Sequence, residues 1–209
     1  MNNFSPNMLK TFETCPKKYY FKYIQNIALP QPVSFFEKGK KIHVLANYYL
    51  QGADISNLLN ELTEAELQIW HNLLNNEFFQ KTYVNSEYNL SAKVGDYWVG
   101  GRLDALMKSG DDYFILDYKT GAIPKNPEYD FQTIVYLICA DKYLKEYNAL
   151  SFVYIDLKNN KNCVIEFNDK FRSEYTEKLT HICSEISQTQ DFVSFSKNCK
   201  FCEYNKFCT

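Results

Sequence analysis

Apolar positions recur at helical spacing in the first part of the chain, then alternate or run together through its middle. Residues 33–50 predict a helix, with Ile42, Leu45, Ala46 and Tyr49 at helical intervals. Ahead of it, Ser5-Pro6 has the form of an N-cap followed by a proline in the first turn. Pro16 divides the aromatic segment that follows into two short helices, with Cys15 at their junction. A further helix is predicted over 63–79, where Thr63 and Glu66 have capping-box spacing. Strands are predicted at 82–93, 97–107 and 112–118, then a helix over 128–146 around the apolar run 134–139. Two more strands, at 150–157 and 162–167, flank a Lys-Asn-Asn-Lys turn. Residues 168–189 predict a last helix capped by Asn168, and the tail from 190 is irregular. Helices, a meander, a helix, two strands and a helix describe an α/β protein with a mixed central sheet flanked by helices.

Composition narrows this picture. The 209 residues suit one domain, and 45% apolar content supplies its core. Seven glycines and six prolines leave little room for long linkers. The formal net charge of −2 excludes a global basic field, so nucleic-acid binding would need a local patch. No apolar run has membrane-spanning length, and the N-terminus lacks a signal-peptide core, so the expected location is cytoplasmic with no membrane contact.

The chemistry concentrates in GRLDALMKSGDDYFILDYKTG, residues 101–121. Ser-Gly-Asp-Asp marks a turn between two apolar-rich halves, so the segment reads as a hairpin. Asp104 lies on its first strand and Asp117 on its second. Alternation along a strand puts Asp117 and Lys119 on one face. Two carboxylates on adjacent strands favour Mg²⁺ or Mn²⁺, with the backbone carbonyl of Tyr118 within reach. Such a cation lowers the pKa of bound water and offsets charge developing on a phosphate. Lys119 is placed to orient the attacking water or neutralise a phosphate oxygen. Read blandly, Asp117 and Lys119 are an exposed pair. The Gly-Arg-Leu-Asp spacing and the Thr-Gly exit weigh against that. Glu87, on the strand before the hairpin, either faces the same site or is an exposed glutamate. Arg102 contacts a phosphate or pairs with an acid.

The seven cysteines fit poorly with disulfides in a reducing compartment. Cys199, Cys202 and Cys208 crowd the tail and Cys15 stands alone near the N-terminus. Three clustered thiols form a soft-metal signal, with Cys15 the candidate fourth ligand. Four thiolates suit zinc or a [4Fe–4S] cluster. Cys139, Cys163 and Cys183 lie in apolar patterns and read as small buried hydrophobes.

Four blocks in order carry a resemblance: Gly39-Lys40-Lys41-Ile42-His43, then Gly-Arg-x-Asp ending at Asp104, then Asp117-Tyr118-Lys119-Thr120-Gly121, then Gln132-Thr133-Ile134-Val135-Tyr136. The ordered set resembles the PD-(D/E)XK nuclease superfamily in its RecB-like branch. The resemblance implies a restriction-endonuclease-like sheet and adds His43 to Asp104, Asp117 and Tyr118 as metal ligands. It gives Gln132 and Tyr136, one helical turn apart, a role in holding the DNA backbone or supporting Lys119. Their bland reading is helix packing. The cysteine pattern resembles the iron–sulfur staple of AddB-type and CRISPR-associated exonucleases, favouring [4Fe–4S] over zinc. It implies one nuclease domain with its core at about 33–189 and a staple drawn from 1–24 and 190–209.

The expected activity is therefore metal-dependent hydrolysis of DNA, as an exonuclease on single-stranded ends. The rival is a non-catalytic DNA-binding or scaffold subunit retaining the fold, which would have no need of intact acids and lysine. CRISPR adaptation, repair or recombination, and phage functions share these blocks. CRISPR integrase or helicase subunits are thus the candidate partners. No Walker A motif is present, so the chain is not itself a helicase. Lys17, Lys18 and Lys22 interleave with Tyr19, Tyr20, Phe21 and Tyr23, where a core role for the aromatics is favoured over base stacking. His71 and His181 match no block.

Overall fold

The computed structural model describes residues 3–29, 33–194 and 199–208. Of the segments assigned to the staple, residues 1, 2, 195–198 and 209 therefore lie outside the described residues. The strands are β1 (Asn3–Phe4), β2 (Thr82–Val94), β3 (Tyr97–Ser109), β4 (Asp112–Lys119), β5 (Ala149–Asp156) and β6 (Lys161–Glu166). The helices are α1 (Pro6–Thr14), α2 (Pro16–Tyr19), α3 (Val33–Leu50), α4 (Ser56–Asn60), α5 (Glu64–Leu74), α6 (Phe131–Tyr143) and α7 (Asp169–Gln188). A π-helical turn, Tyr20–Ile24, continues α2.

Local chemistry sets most boundaries. Ser5 Oγ accepts a hydrogen bond from Met8 N, and Asn168 Oδ1 accepts one from Phe171 N. Thr63 and Glu66 form the expected capping box. α5 nevertheless ends at Leu74, short of the predicted 79. Asn76 folds back instead: its Oδ1 accepts Phe78 N, and its Nδ2 donates to Asn162 at 2.7 Å. α6 starts at Phe131 because Asp130 caps it, with Pro127 in the short 3₁₀ turn before. β1 and α4 escape the hydrophobic pattern, being two and five residues long.

The sheet is mixed. β2 and β3 pair antiparallel along most of their length, β3 and β4 antiparallel, β4 and β5 parallel, and β5 and β6 antiparallel. β1 runs parallel to the start of β3, on an edge that β4 does not reach. α6 is the crossover between β4 and β5. One core layer lies between the sheet and α1, α6 and α7, with Leu106, Ile115 and Phe152 among its sheet residues. The other lies under α3 and α5, with Met107, Leu116 and Val153. Leu116 and Ile115 enter opposite layers, as adjacent strand residues must. Each such side chain contributes about 1.5–3 kcal/mol by leaving water.

The detail that matters is where β3 and β4 part. Their last paired residues are Ala105 and Leu116. The next pair in that register would be Asp104 and Asp117. The strands separate there, while β4 continues beside β5 to Lys119.

Candidate active site

Asp104 bridges the parted strands. Its Oδ2 accepts the Tyr118 backbone N–H at 2.9 Å, and its Oδ1 lies 3.0 Å from His43 Nδ1. The other ring nitrogen of His43 is 3.1 Å from the Tyr118 carbonyl oxygen. Burial lowers the affinity of this imidazole for a proton, but hydrogen bonding and charge from Asp104, the charge of Asp117 and the Tyr118 carbonyl outweigh it, so the pKa rises. Protonated, the ring sits as a cation between two hard oxygens.

His43, Glu87 and Asp104 each offer a ligand atom, and these atoms lie within 4.8 Å of one another. Glu87 reaches this position from β2 through a left-handed backbone, φ 48°, which is rare for a residue with a side chain. Its Oε2 also pairs with Arg102 Nε at 2.8 Å. The cluster opens on a cleft of about 700 Å³ whose walls also include Gly39, Lys40, Val44, Asn47, Tyr48 and Thr120.

Asp117 stands behind this cluster, on the α6 side of β4. It is buried, and its Oδ1 accepts a hydrogen bond from Gln132 Nε2. Lys119 Nζ lies 2.7 Å from Asp117 Oδ2 as an ion pair and donates to Gln132 Oε1 at 3.0 Å. Oδ2 accepts no aligned hydrogen bond, which leaves it a buried oxygen short of donors. Burial, then the neighbouring Asp104 charge, push the Asp117 carboxyl up to about 6, against the pull of Lys119 and His43. Desolvated carboxylates with an under-satisfied oxygen, a histidine and a backbone carbonyl suit a hard divalent cation.

A sequence profile of the PD-(D/E)XK nuclease superfamily matches residues 3–209. The chain belongs to that superfamily. The RecB subunit of the RecBCD enzyme of Borreliella burgdorferi is 32% identical over 103 residues, covering 47% of this chain and 8% of RecB. The CRISPR-associated exonuclease Cas4 of Francisella tularensis subsp. novicida is 23% identical over 123 residues, 58% of this chain and 61% of Cas4. The matches thus span less than two thirds of either relative. A crystal structure of a Eubacterium rectale protein, provisionally assigned as an exonuclease, superposes with a TM-score of 0.62 at 11% identity. That superposition covers all of this chain and 88% of the other. At that identity the likeness is one of fold, and the fold is the restriction-endonuclease-like α/β sheet of the superfamily.

Contacts between elements give physical reasons for the four blocks. A Cβ on Gly39 would stand 3.1 Å from Thr120 Oγ1, so glycine lets α3 approach the end of β4 and bring His43 to Asp104. A Cβ on Gly101 would stand 2.9 Å from Tyr136 Oη. Tyr136 packs over that glycine and donates to the Arg102 carbonyl at 2.8 Å, tying α6 to β3. Gln132, one turn earlier on α6, holds Asp117 and Lys119. Of the expected ligands, His43, Asp104 and the Tyr118 carbonyl are adjacent. Asp117 is not among the residues that line the cleft and is held by Lys119 and Gln132 instead. Glu87, which its sequence context left open, lies in the cluster. Asn47 and Tyr48 also line the cleft but carried no signal in the sequence, and Thr120, part of the third block, lines it too. His71 and His181 sit on α5 and α7, outside it.

The cysteines fall into two groups. Cys139 and Cys183 are buried, and burial raises both thiols to about 12. Cys163 is half-buried on β6. Cys15, Cys199, Cys202 and Cys208 instead line one cavity of about 150 Å³. Neighbouring contacts join the two chain segments there. Lys18 pairs with Glu203 at 3.0 Å, Phe21 stacks on Tyr204 at 5.9 Å, and Tyr204 Oη donates to the Ile27 carbonyl. Tyr19 and Phe21 are core residues, while Lys17 and Lys22 lie over neighbouring rings.

Proposed function

We propose that this chain is a metal-dependent DNA nuclease that hydrolyses phosphodiester bonds, acting as an exonuclease on single-stranded ends. The observation that carries this reading is the meeting of His43, Glu87 and Asp104 at an open cleft, backed by the buried Asp117–Lys119–Gln132 group. A bound Mg²⁺ or Mn²⁺ would supply Lewis-acid charge and a water of lowered pKa. His43, Asp104, Asp117 and the Tyr118 carbonyl would hold it, with Glu87 as a further carboxylate. Neutral His43 offers a nitrogen once its proton is displaced. Lys119, oriented by Gln132, presents a positive charge to a phosphate oxygen or to the attacking water. Tyr136 keeps α6 seated so that Gln132 stays in reach. Arg102, mostly exposed at the cleft wall, is placed for a backbone phosphate. Among the described residues no helix is long and apolar enough to cross a membrane.

The proposal extends to one nuclease domain whose ends are stapled by a [4Fe–4S] cluster on Cys15, Cys199, Cys202 and Cys208. Four cysteines from two distant chain segments lining one cavity support a shared soft-metal centre there. Participation in CRISPR adaptation, or in repair beside helicase subunits, extends the likeness to Cas4 and RecB. Both parts are open to direct test. Labelled single-stranded DNA should be shortened in Mg²⁺ or Mn²⁺ and not in EDTA, and Asp104→Ala and Lys119→Ala should abolish cutting. Intact DNA with the wild-type protein, or undiminished cutting by those variants, would overturn the reading. Protein purified without oxygen should be brown and contain about four irons and four sulfides per chain; colourless protein carrying zinc would replace the cluster with a zinc staple.

A further inference from the structure

Two neighbouring stripes of α3 line the cleft. Gly39, His43 and Asn47 form the stripe beside the carboxylates, and Lys40, Val44 and Tyr48 form the outer one, both at four-residue spacing. The outer stripe has the composition of a binding surface: a cation, an aliphatic side chain and an aromatic ring. Tyr48 is 45% exposed and Val44 38%. Among the described residues the Tyr48 ring has no aromatic partner and its hydroxyl no hydrogen bond, and Lys40 has no acidic partner. Their neighbours differ. Tyr49, next in the chain, stacks on Phe79 and meets the edge of Trp70, while Lys41 pairs with Glu66. Among the described residues, Tyr48 and Lys40 of the outer stripe are thus left uncommitted where their chain neighbours are packed or paired.

We propose that Tyr48 is a base-stacking platform for single-stranded DNA, with Lys40 meeting a backbone phosphate beside it. The inference rests on the nuclease reading above and deepens it to a substrate class. Ring faces of bases inside a duplex are covered by their neighbours, whereas a single strand can turn them toward a protein ring. The eight residue steps from Lys40 to Tyr48 rise about 12 Å along the helix, enough to follow more than one nucleotide. Arg102, from β3 and paired with Glu87, lines the same cleft and adds a second cation to it. Stacking tolerates every base, so the platform selects strandedness rather than sequence.

Binding of a labelled single-stranded oligonucleotide to the full chain in EDTA tests this without catalysis. Tyr48→Ala should weaken binding roughly ten- to hundred-fold, the usual loss for one stacked base. Tyr48→Phe, which keeps the ring, should bind within about two-fold of wild type, and Tyr48→Leu, which keeps bulk alone, should not. Trp98→Ala removes an equally exposed ring outside the cleft and should change nothing. A 2-aminopurine in the oligonucleotide should be quenched by wild type and not by Tyr48→Leu. Equal binding by wild type and Tyr48→Ala, or equal loss in Tyr48→Phe and Tyr48→Ala, would overturn the platform. Hydrolysis of a small phosphodiester such as bis(p-nitrophenyl) phosphate with Mn²⁺ separates the two readings. If wild type cannot cleave it or DNA, the nuclease reading fails while the EDTA binding result still judges Tyr48.

Discussion

Asp117 is expected to destabilise the protein whenever no cation is bound. Its carboxylate is 4% exposed. Burial first, then the Asp104 charge, move its pKa from an ordinary 3.8 to about 6, although Lys119 and His43 pull the other way. A rise of roughly two units corresponds to about 3 kcal/mol. The folded state holds the proton more tightly than the unfolded chain. Between about pH 4 and 6 it therefore binds more protons, and stability falls as pH rises through that window. Above it the whole penalty stands. Asp117→Asn removes the charge and keeps the shape. In EDTA at pH 8 this variant should exceed wild type by up to about 3 kcal/mol, a gain in Tm of up to about 6–12 °C for a chain of this size. At about pH 4.5 roughly 1 kcal/mol of the difference should remain.

Thermal unfolding followed by circular dichroism measures this at both pH values, in EDTA and again with Mn²⁺. The cation should stabilise wild type more than the variant, because only wild type offers it the second aspartate. An Asn variant no more stable than wild type at pH 8 in EDTA would refute the reasoning. So would a gain of equal size at pH 4.5. Confirmed, the result would make Asp117 a group that lowers stability for the sake of activity.

Other outcomes follow from single contacts. Gly101→Ala forces the Tyr136 hydroxyl away from Arg102 and should cost about 1–3 kcal/mol, while combining it with Tyr136→Phe should cost less than the sum in urea unfolding. Full additivity would separate the two residues. Thr63→Ala removes the hydroxyl that accepts the Glu66 N–H in the α5 capping box, while the backbone half from residue 63 to Glu66 Oε2 remains, and should lower stability by about 1 kcal/mol, seen as a Tm drop of about 2–4 °C. Cys202→Ala should loosen the stapled tail, so that trypsin cuts at Lys200 or Lys206 faster than in wild type; equal cutting rates would argue against a staple.

Much of the fold was legible because local chemistry agreed with the global arrangement. Thr63, Asn168 and Ser5 cap the helices their types predict, and 3.6- and 2-residue periods place the buried faces. The failures have physical causes. Helix periodicity continues past Leu74, but the Asn76 side chain diverts the backbone. Glu87 could not be placed because its direction depends on a left-handed torsion within β2, near the register shift at Tyr83–Asn85. Alternation carries no information about such a residue. Helical spacing puts Tyr49 with Ile42, Leu45 and Ala46 but assigns nothing to Tyr48. The structure packs Tyr49 against Trp70 and Phe79, and only the cleft's position shows what Tyr48 faces.

The site itself grows out of a conflict within the sheet. Continuing the β3–β4 ladder past Ala105 and Leu116 would set Asp104 directly against Asp117. Like charges facing each other across strands are unfavourable, so the strands part where they would meet. Parting frees the backbone N–H of Tyr118, and the Asp104 carboxylate accepts it. The same carboxylate turns its other oxygen to His43, which reaches in because Gly39 lets α3 sit against Thr120. Asp117, released to the other side, is met by Lys119 and Gln132. Each acid is thus held by one partner from β4 and one from a helix, His43 of α3 for Asp104 and Gln132 of α6 for Asp117. The remaining mutual repulsion is what the divalent cation of the proposed function would relieve.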